Sequence, residues 1–107
     1  MIGEIVKVTV DRPMGTYHPE HPDMYYPINY GYIDGIMAPD KEEQDAYIVG
    51  VEEPLKEFTG KIIAIIHRND DIEEKWVVAP ADMVFSKEQI MEQVHFQEQY
   101  FDSEIVM

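Results

Sequence analysis

Apolar residues in this chain fall into short β-branched runs, each cut off by proline, glycine or a charged turn, and that pattern favours strands over helices. The run EIVKVTV over 4–10 puts Val6, Val8 and Val10 on one face of a strand. Residues 13–24 follow as a loop containing Pro13, Pro19, Pro22 and Gly15. YYPINYGYI over 25–33 is rich in β-formers and split by Pro27, so it reads as an edge or bent strand. Residues 34–44 are turn-like and acidic, AYIVGV (46–51) is a strand by composition, and Pro54 breaks the chain. KIIAIIH (61–67) is the clearest buried strand. It turns through RNDDIEE and returns as KWVVA over 75–79. Pro80 ends the strand run. Ser86 and Gln89 form a capping box that opens a helix running to about Tyr100, with Ile90, Met91, Val94 and Phe101 at helical spacing. The expected fold is mainly β: a small five-stranded antiparallel OB-like barrel with a C-terminal helix packed against it.

A length of 107 residues suits a single domain over 1–107 with a small core. The absence of cysteine excludes disulfides and Cys-based zinc sites, and it fits a reducing compartment. No apolar run approaches the roughly 20 residues of a membrane span. Residues 1–10 lack the apolar stretch of a signal peptide, so the expected location is the cytoplasm. A formal net charge of −14 opposes binding to nucleic acid or to an anionic membrane, and it is consistent with cation binding.

The densest chemistry lies in Asp40-Lys41-Glu42-Glu43-Gln44-Asp45. An extended backbone points Asp40 and Glu42 to one side, and a turn would bring Asp45 round to them. Crowded carboxylates repel one another unless a cation sits among them, and hard oxygen ligands select Mg²⁺, Mn²⁺ or Ca²⁺. A solvated acidic turn is the other reading of the same residues. The segment 18–23 sets His18, Glu20, His21 and Asp23 close together, either as ligands for a transition metal or as an exposed proline-stiffened loop. His67 and His95 read as packing or hydrogen-bonded residues, and Tyr25, Tyr32 and Tyr47 as packing aromatics.

Upstream of the acids, Tyr26-Pro27-Ile28-Asn29-Tyr30-Gly31-Tyr32-Ile33 resembles the YP-x-NYG-[FY]-I motif of the soluble inorganic pyrophosphatases. In that family a D-x-D-P-x-D signature follows. Counting forward from Asn29 without a gap lands its three acids on Asp40, Glu42 and Asp45. Val10-Asp11-Arg12 with Met14 is similar to the family's strand carrying a phosphate-binding arginine. Asp70 followed by Glu73-Glu74-Lys75 resembles its acidic turn and D-x-K. His95-Phe96-Gln97-Glu98-Gln99-Tyr100 is similar to its late H-F-x-E-x-Y-K helix.

The resemblance implies hydrolysis of inorganic pyrophosphate, or a related small phosphoanhydride, to phosphate with Mg²⁺ or Mn²⁺ as cofactor. Asp40, Glu42, Asp45, Asp70 and Glu73 would be the metal ligands and Glu42 the catalytic base. Arg12, Tyr26, Tyr30, Lys75 and Tyr100 would bind substrate. It also implies that the chain forms a homo-oligomer, and the self-repulsion of an empty carboxylate cluster implies that a divalent cation stabilises the fold. Several features depart from the family. The middle acid is Glu42 instead of aspartate, Lys41 and Glu43 replace the signature's glycine and proline, and Phe101 stands where the family has a lysine. The family's N-terminal lysine and glutamate have no counterpart. Segment 18–23 is an insertion, and the turn between Asp70 and Glu73 is shorter. The same ancestry is therefore compatible with a metal- or phosphate-binding module of little or no turnover, and a third reading is an oligomer-forming structural domain.

Overall fold

Val8 and Val10 are buried while Thr9 and Asp11 point away, the alternation that a half-buried strand imposes. A computed structural model describes residues 1–107, and in it the chain runs β1 (Ile5–Arg12), β2 (Asn29–Met37), β3 (Glu43–Ile48), β4 (Glu57–Arg68), β5 (Glu74–Ala79), α1 (Lys87–Glu98) and β6 (Ser103–Val106). The strands are ordered β1-β2-β3-β5-β4-β6, and β1 also pairs with β4, which closes the first five into a barrel. No helix is long and apolar enough to cross a membrane.

Five strands and the capped helix are as the sequence predicts, except that β2 begins after Pro27, runs to Met37 through residues read as a turn, and pairs on both sides, so it is not an edge strand. Two further differences concern pairing. The pair β3–β5 is parallel, so the barrel is mixed and not wholly antiparallel. The reason is parity: strand directions cannot alternate all the way round a ring with an odd number of members. The second difference is β6, which pairs with the far end of β4 through Ile65↔Val106 to Arg68↔Ser103. It is a strand of 4 residues with only Ile105 buried, too short for periodicity to reveal.

Alternation along the strands feeds two cores. Inside the barrel lie Val8, Val10, Ile33, Ala46, Ile48, Ile62, Ile65, Trp76 and Val78. The opposite faces of β3, β4 and β5 supply Tyr47, Ala64, Ile66, Val77 and Ala79, which pack against Ile90 and Val94 of α1 and Ile105 of β6. The capping box is formed: the Ser86 hydroxyl accepts from the Gln89 N–H at 3.1 Å, and the Gln89 side chain accepts from the Ser86 N–H at 2.8 Å. Ser86→Ala is expected to lower stability by about 1 kcal/mol, read from a urea melt.

Candidate functional site

A cavity of about 490 Å³ opens where the barrel rim, the 13–24 loop and the end of α1 meet. The rim contributes Asp11 and Arg12 from β1, Tyr30 from β2 and Asp45 from β3. Consecutive strand residues ordinarily point to opposite faces. Here the register slips between Val10↔Gly31 and Arg12↔Tyr30, and this bulge leaves both Asp11 and Arg12 on the cavity wall. The loop contributes His18, His21, Met24 and Tyr26. It folds back as a hairpin-like excursion: His18 donates to the Met24 carbonyl at 2.9 Å, Tyr26 to Thr16 at 2.9 Å, and Tyr17 bridges Tyr25.

Fully buried Asn29 anchors the base of the loop. Its Oδ1 accepts from the Met14 N–H at 2.9 Å and the Leu55 N–H at 3.0 Å, and its Nδ2 donates to the Glu53 carbonyl at 2.9 Å. This gives the asparagine of the Asn-Tyr-Gly motif a structural role, tying three segments of chain together beneath the cavity.

Two buried cations lie beneath this rim. Lys75 donates to Asp45 at 2.5 Å and to the Tyr30 hydroxyl at 3.0 Å, with Glu73 at 3.6 Å. Burial pushes the Lys75 ammonium down, but Tyr30 and Asp45 outweigh it and hold it above the ordinary lysine range. Burial pushes the Tyr30 phenol up to about 12 against the pull of Lys75, so it stays protonated at neutral pH. Arg68 forks onto Glu98 at 2.8 and 3.1 Å, reaches Glu73 at 2.9 Å, and lies 3.6 Å over the Phe101 ring. Glu98 also accepts from Tyr47 at 2.6 Å and Ser103 at 2.7 Å. On the cavity wall, burial raises Asp11 despite Arg12 beside it, and neighbouring Asp45 adds to the rise. Burial likewise raises the Tyr26 phenol, again opposed by Arg12.

Arg12, Tyr26, Tyr30 and Tyr100 all line the one cavity, while Lys75 lies behind Tyr30. The five acids come together only in part. Asp40, Asp45 and Glu73 border a separate cleft of about 20 Å³, which Glu42 and Asp70 do not line. Nowhere do three His, Asp or Glu side chains meet in an arrangement that could hold a metal ion. The causes are local. Asp45 and Glu73 are turned onto Lys75 and Arg68. Asp40 accepts the Glu42 N–H at 3.1 Å, bracing a tight turn in which Lys41 takes a left-handed φ of 69°. The Arg68 N–H donates to the Glu73 carbonyl, so the β4–β5 hairpin opposes Glu73 with a guanidinium and leaves Asp70 exposed at its tip. His18 and His21 line the cavity with ring centroids 4.8 Å apart, and His18 Nδ1 is occupied by the Glu20 N–H. The sequence reading gave no role to Asp11, Gln97 or Glu98. The first faces the cavity only because of a bulge and Gln97 only because of where α1 docks, while Glu98 lies outside the cavity, buried on Arg68, Tyr47 and Ser103.

No family model and no curated protein sequence matches this chain. Solved structures do match in fold. The inorganic pyrophosphatase from Ehrlichia chaffeensis superposes with a TM-score of 0.70 at 18% identity, covering 97% of this chain and 85% of that one. The inorganic pyrophosphatase of Coxiella burnetii gives 0.66 at 14% identity, covering 98% and 85%. That of Helicobacter pylori gives 0.65 at 16% identity, covering 96% and 82%. The chain has the fold of these inorganic pyrophosphatases.

Proposed function

We propose that this chain holds pyrophosphate or a related small phosphate compound in the cavity under the 13–24 loop, as a binding module with little or no turnover. One observation carries the reading. Arg12 lies on the cavity wall with its Nε buried and without a partner, on the same wall as Tyr26 and Tyr30. A guanidinium with an unfilled donor beside phenol hydroxyls suits phosphate oxygens. The fold's likeness to pyrophosphatases agrees with that ligand class. We take residues 1–107 as a single cytoplasmic domain; self-association is read by light scattering.

The divalent metals implied by the fold do not suit the side chains as arranged. Two of the five expected ligands are engaged by Lys75 and Arg68, and two more stand outside the cleft. Lys75 and Arg68 supply the positive charge that the acids need. Thermal melts in EDTA and in millimolar Mg²⁺ are therefore expected to coincide. An occupied metal site at 100 times its dissociation constant would separate them by about 2.7 kcal/mol of stability.

Metal-dependent hydrolysis is the second reading. It is favoured by the fold and by the two carboxylates, Asp11 and Asp45, on the wall that holds Arg12. One pair of measurements separates the readings: calorimetric titration with pyrophosphate, and phosphate release with Mg²⁺, Mn²⁺ or EDTA. The binding module predicts saturable binding that Arg12→Ala weakens by about 1.5–3 kcal/mol, the range for a hydrogen bond to a charged group. Efficient Mg²⁺-dependent phosphate release, abolished by Asp45→Asn, would replace it with the hydrolase.

A further inference from the structure

The cavity is larger and chemically more mixed than an inorganic phosphate needs. Its volume of about 490 Å³ lies in the range of sites that enclose whole organic ligands, about 300–1,000 Å³. Rings make up much of the wall. His18 lies within 23° of parallel to Tyr26 at 6.4 Å, and Tyr26 stacks in turn on Tyr30 at 5.8 Å. His21 and Tyr100 flank the opening together, and Tyr100 is 73% exposed. An exposed aromatic ring at the mouth of a cavity offers a face to another planar group.

The hydrogen-bonding inventory points the same way. An ionised diphosphate has only acceptor oxygens, so a site made for it alone would be lined with donors and cations. Arg12 is the only arginine or lysine on this wall, since Lys75 and Arg68 are held by their own carboxylates behind it. Beside Arg12 stand the Asp11 carboxylate, 3.6 Å from the guanidinium, the Asp45 carboxylate, already held by Lys75, and Gln97, whose Oε1 is buried without a partner. Acceptors need N–H or O–H groups from whatever binds, and a bare anion has none to give.

We infer that the ligand is a nucleoside phosphate. Its phosphates meet Arg12 and the tyrosine hydroxyls, its base stacks among the rings at the cavity mouth, and its base N–H and ribose O–H groups donate to Gln97 and Asp11. The inference rests on the reading that the cavity takes a phosphate compound, and it narrows that class. Stacking on an aromatic side chain strengthens nucleotide binding by about tenfold to hundredfold per base.

The test is calorimetric titration of the full chain with ADP and, separately, with pyrophosphate. ADP is expected to bind at least about tenfold more tightly. His21→Ala and Gln97→Leu are expected to weaken ADP about tenfold each and to leave pyrophosphate affinity unchanged, with melting curves confirming that both variants fold. Pyrophosphate binding as tight as ADP would overturn the inference and leave the phosphate site standing. So would variants that affect both ligands equally or neither. Binding of neither ligand to the unmodified chain would overturn the phosphate site itself, and this inference with it.

Discussion

Glu98→Ala is expected to destabilise the fold by about 3–5 kcal/mol, the range for removing one partner of a buried ion pair. For a domain of this size that lowers the melting midpoint by on the order of 20 °C. Glu98 and Arg68 are 2% and 3% exposed, so neither can turn to water when the other is lost. Both Glu98 oxygens are used, accepting from the Arg68 fork, Tyr47 and Ser103. These donors come from β4, β3 and β6, so one carboxylate ties the helix end to three strands. Its loss leaves two guanidinium nitrogens and two hydroxyls without partners at once, while Glu73 keeps its bond to Arg68. Arg68 is correspondingly held by its own carboxylates, with its guanidinium over the Phe101 ring.

The same carboxylate has a pH signature. Burial pushes Glu98 up, but the hydrogen bonds from Arg68, Tyr47 and Ser103 prevail and hold it below the ordinary range. A carboxyl depressed in the folded state binds its proton more readily when unfolded. Its contribution is complete above the unfolded value of about 4.3 and is lost as pH falls through the folded value. The stability gap between the unmodified chain and Glu98→Gln should be full at neutral pH, begin to shrink below about pH 4.3 and close as pH falls through the lower folded value. Comparing the two chains removes the common contribution of the other acids. A gap that stays constant to pH 2 would rule out this assignment.

Local signals were legible wherever the cause was local. Alternating valines gave β1, the run KIIAIIH gave the centre of β4, and Ser86 with Gln89 gave the helix start. Tertiary pairing was less legible. The parallel β3–β5 contact follows from closing the ring, and β6 exists because β4 has a free edge beyond its contact with β1. The site divides the same way. Arg12, Tyr26, Tyr30 and Tyr100 line one cavity. Of the five acids only Asp40, Asp45 and Glu73 share a cleft, and not in an arrangement that could hold a metal ion, because spacing along the chain says nothing about competing cations. Lys75 and Arg68 reach Asp45 and Glu73 from β5 and β4. Only the hairpin register shows that Arg68, not Asp70, stands opposite Glu73.

Gly31→Ala is expected to destabilise the chain by about 3 kcal/mol or more, at or above the usual upper end for overpacking, and to abolish ligand binding in whatever fraction stays folded. A Cβ on Gly31 would stand 1.9 Å from the Thr9 carbonyl oxygen and 2.8 Å from the Val10 Cα. Both are backbone atoms of the paired strand, so no side-chain rotation relieves the clash and β1 must move away from β2. That displacement falls at the bulge where Val10↔Gly31 gives way to Arg12↔Tyr30, the step that sets Asp11 and Arg12 on the cavity wall. The glycine of the Asn-Tyr-Gly motif thus acts through close approach of two strands, and its φ is not in the left-handed region. Urea melts measure the first effect, and titration with ligand under conditions where the variant is folded measures the second. A variant that is destabilised but binds normally would separate strand packing from the placement of Arg12. A variant as stable as the unmodified chain would contradict the strand spacing itself.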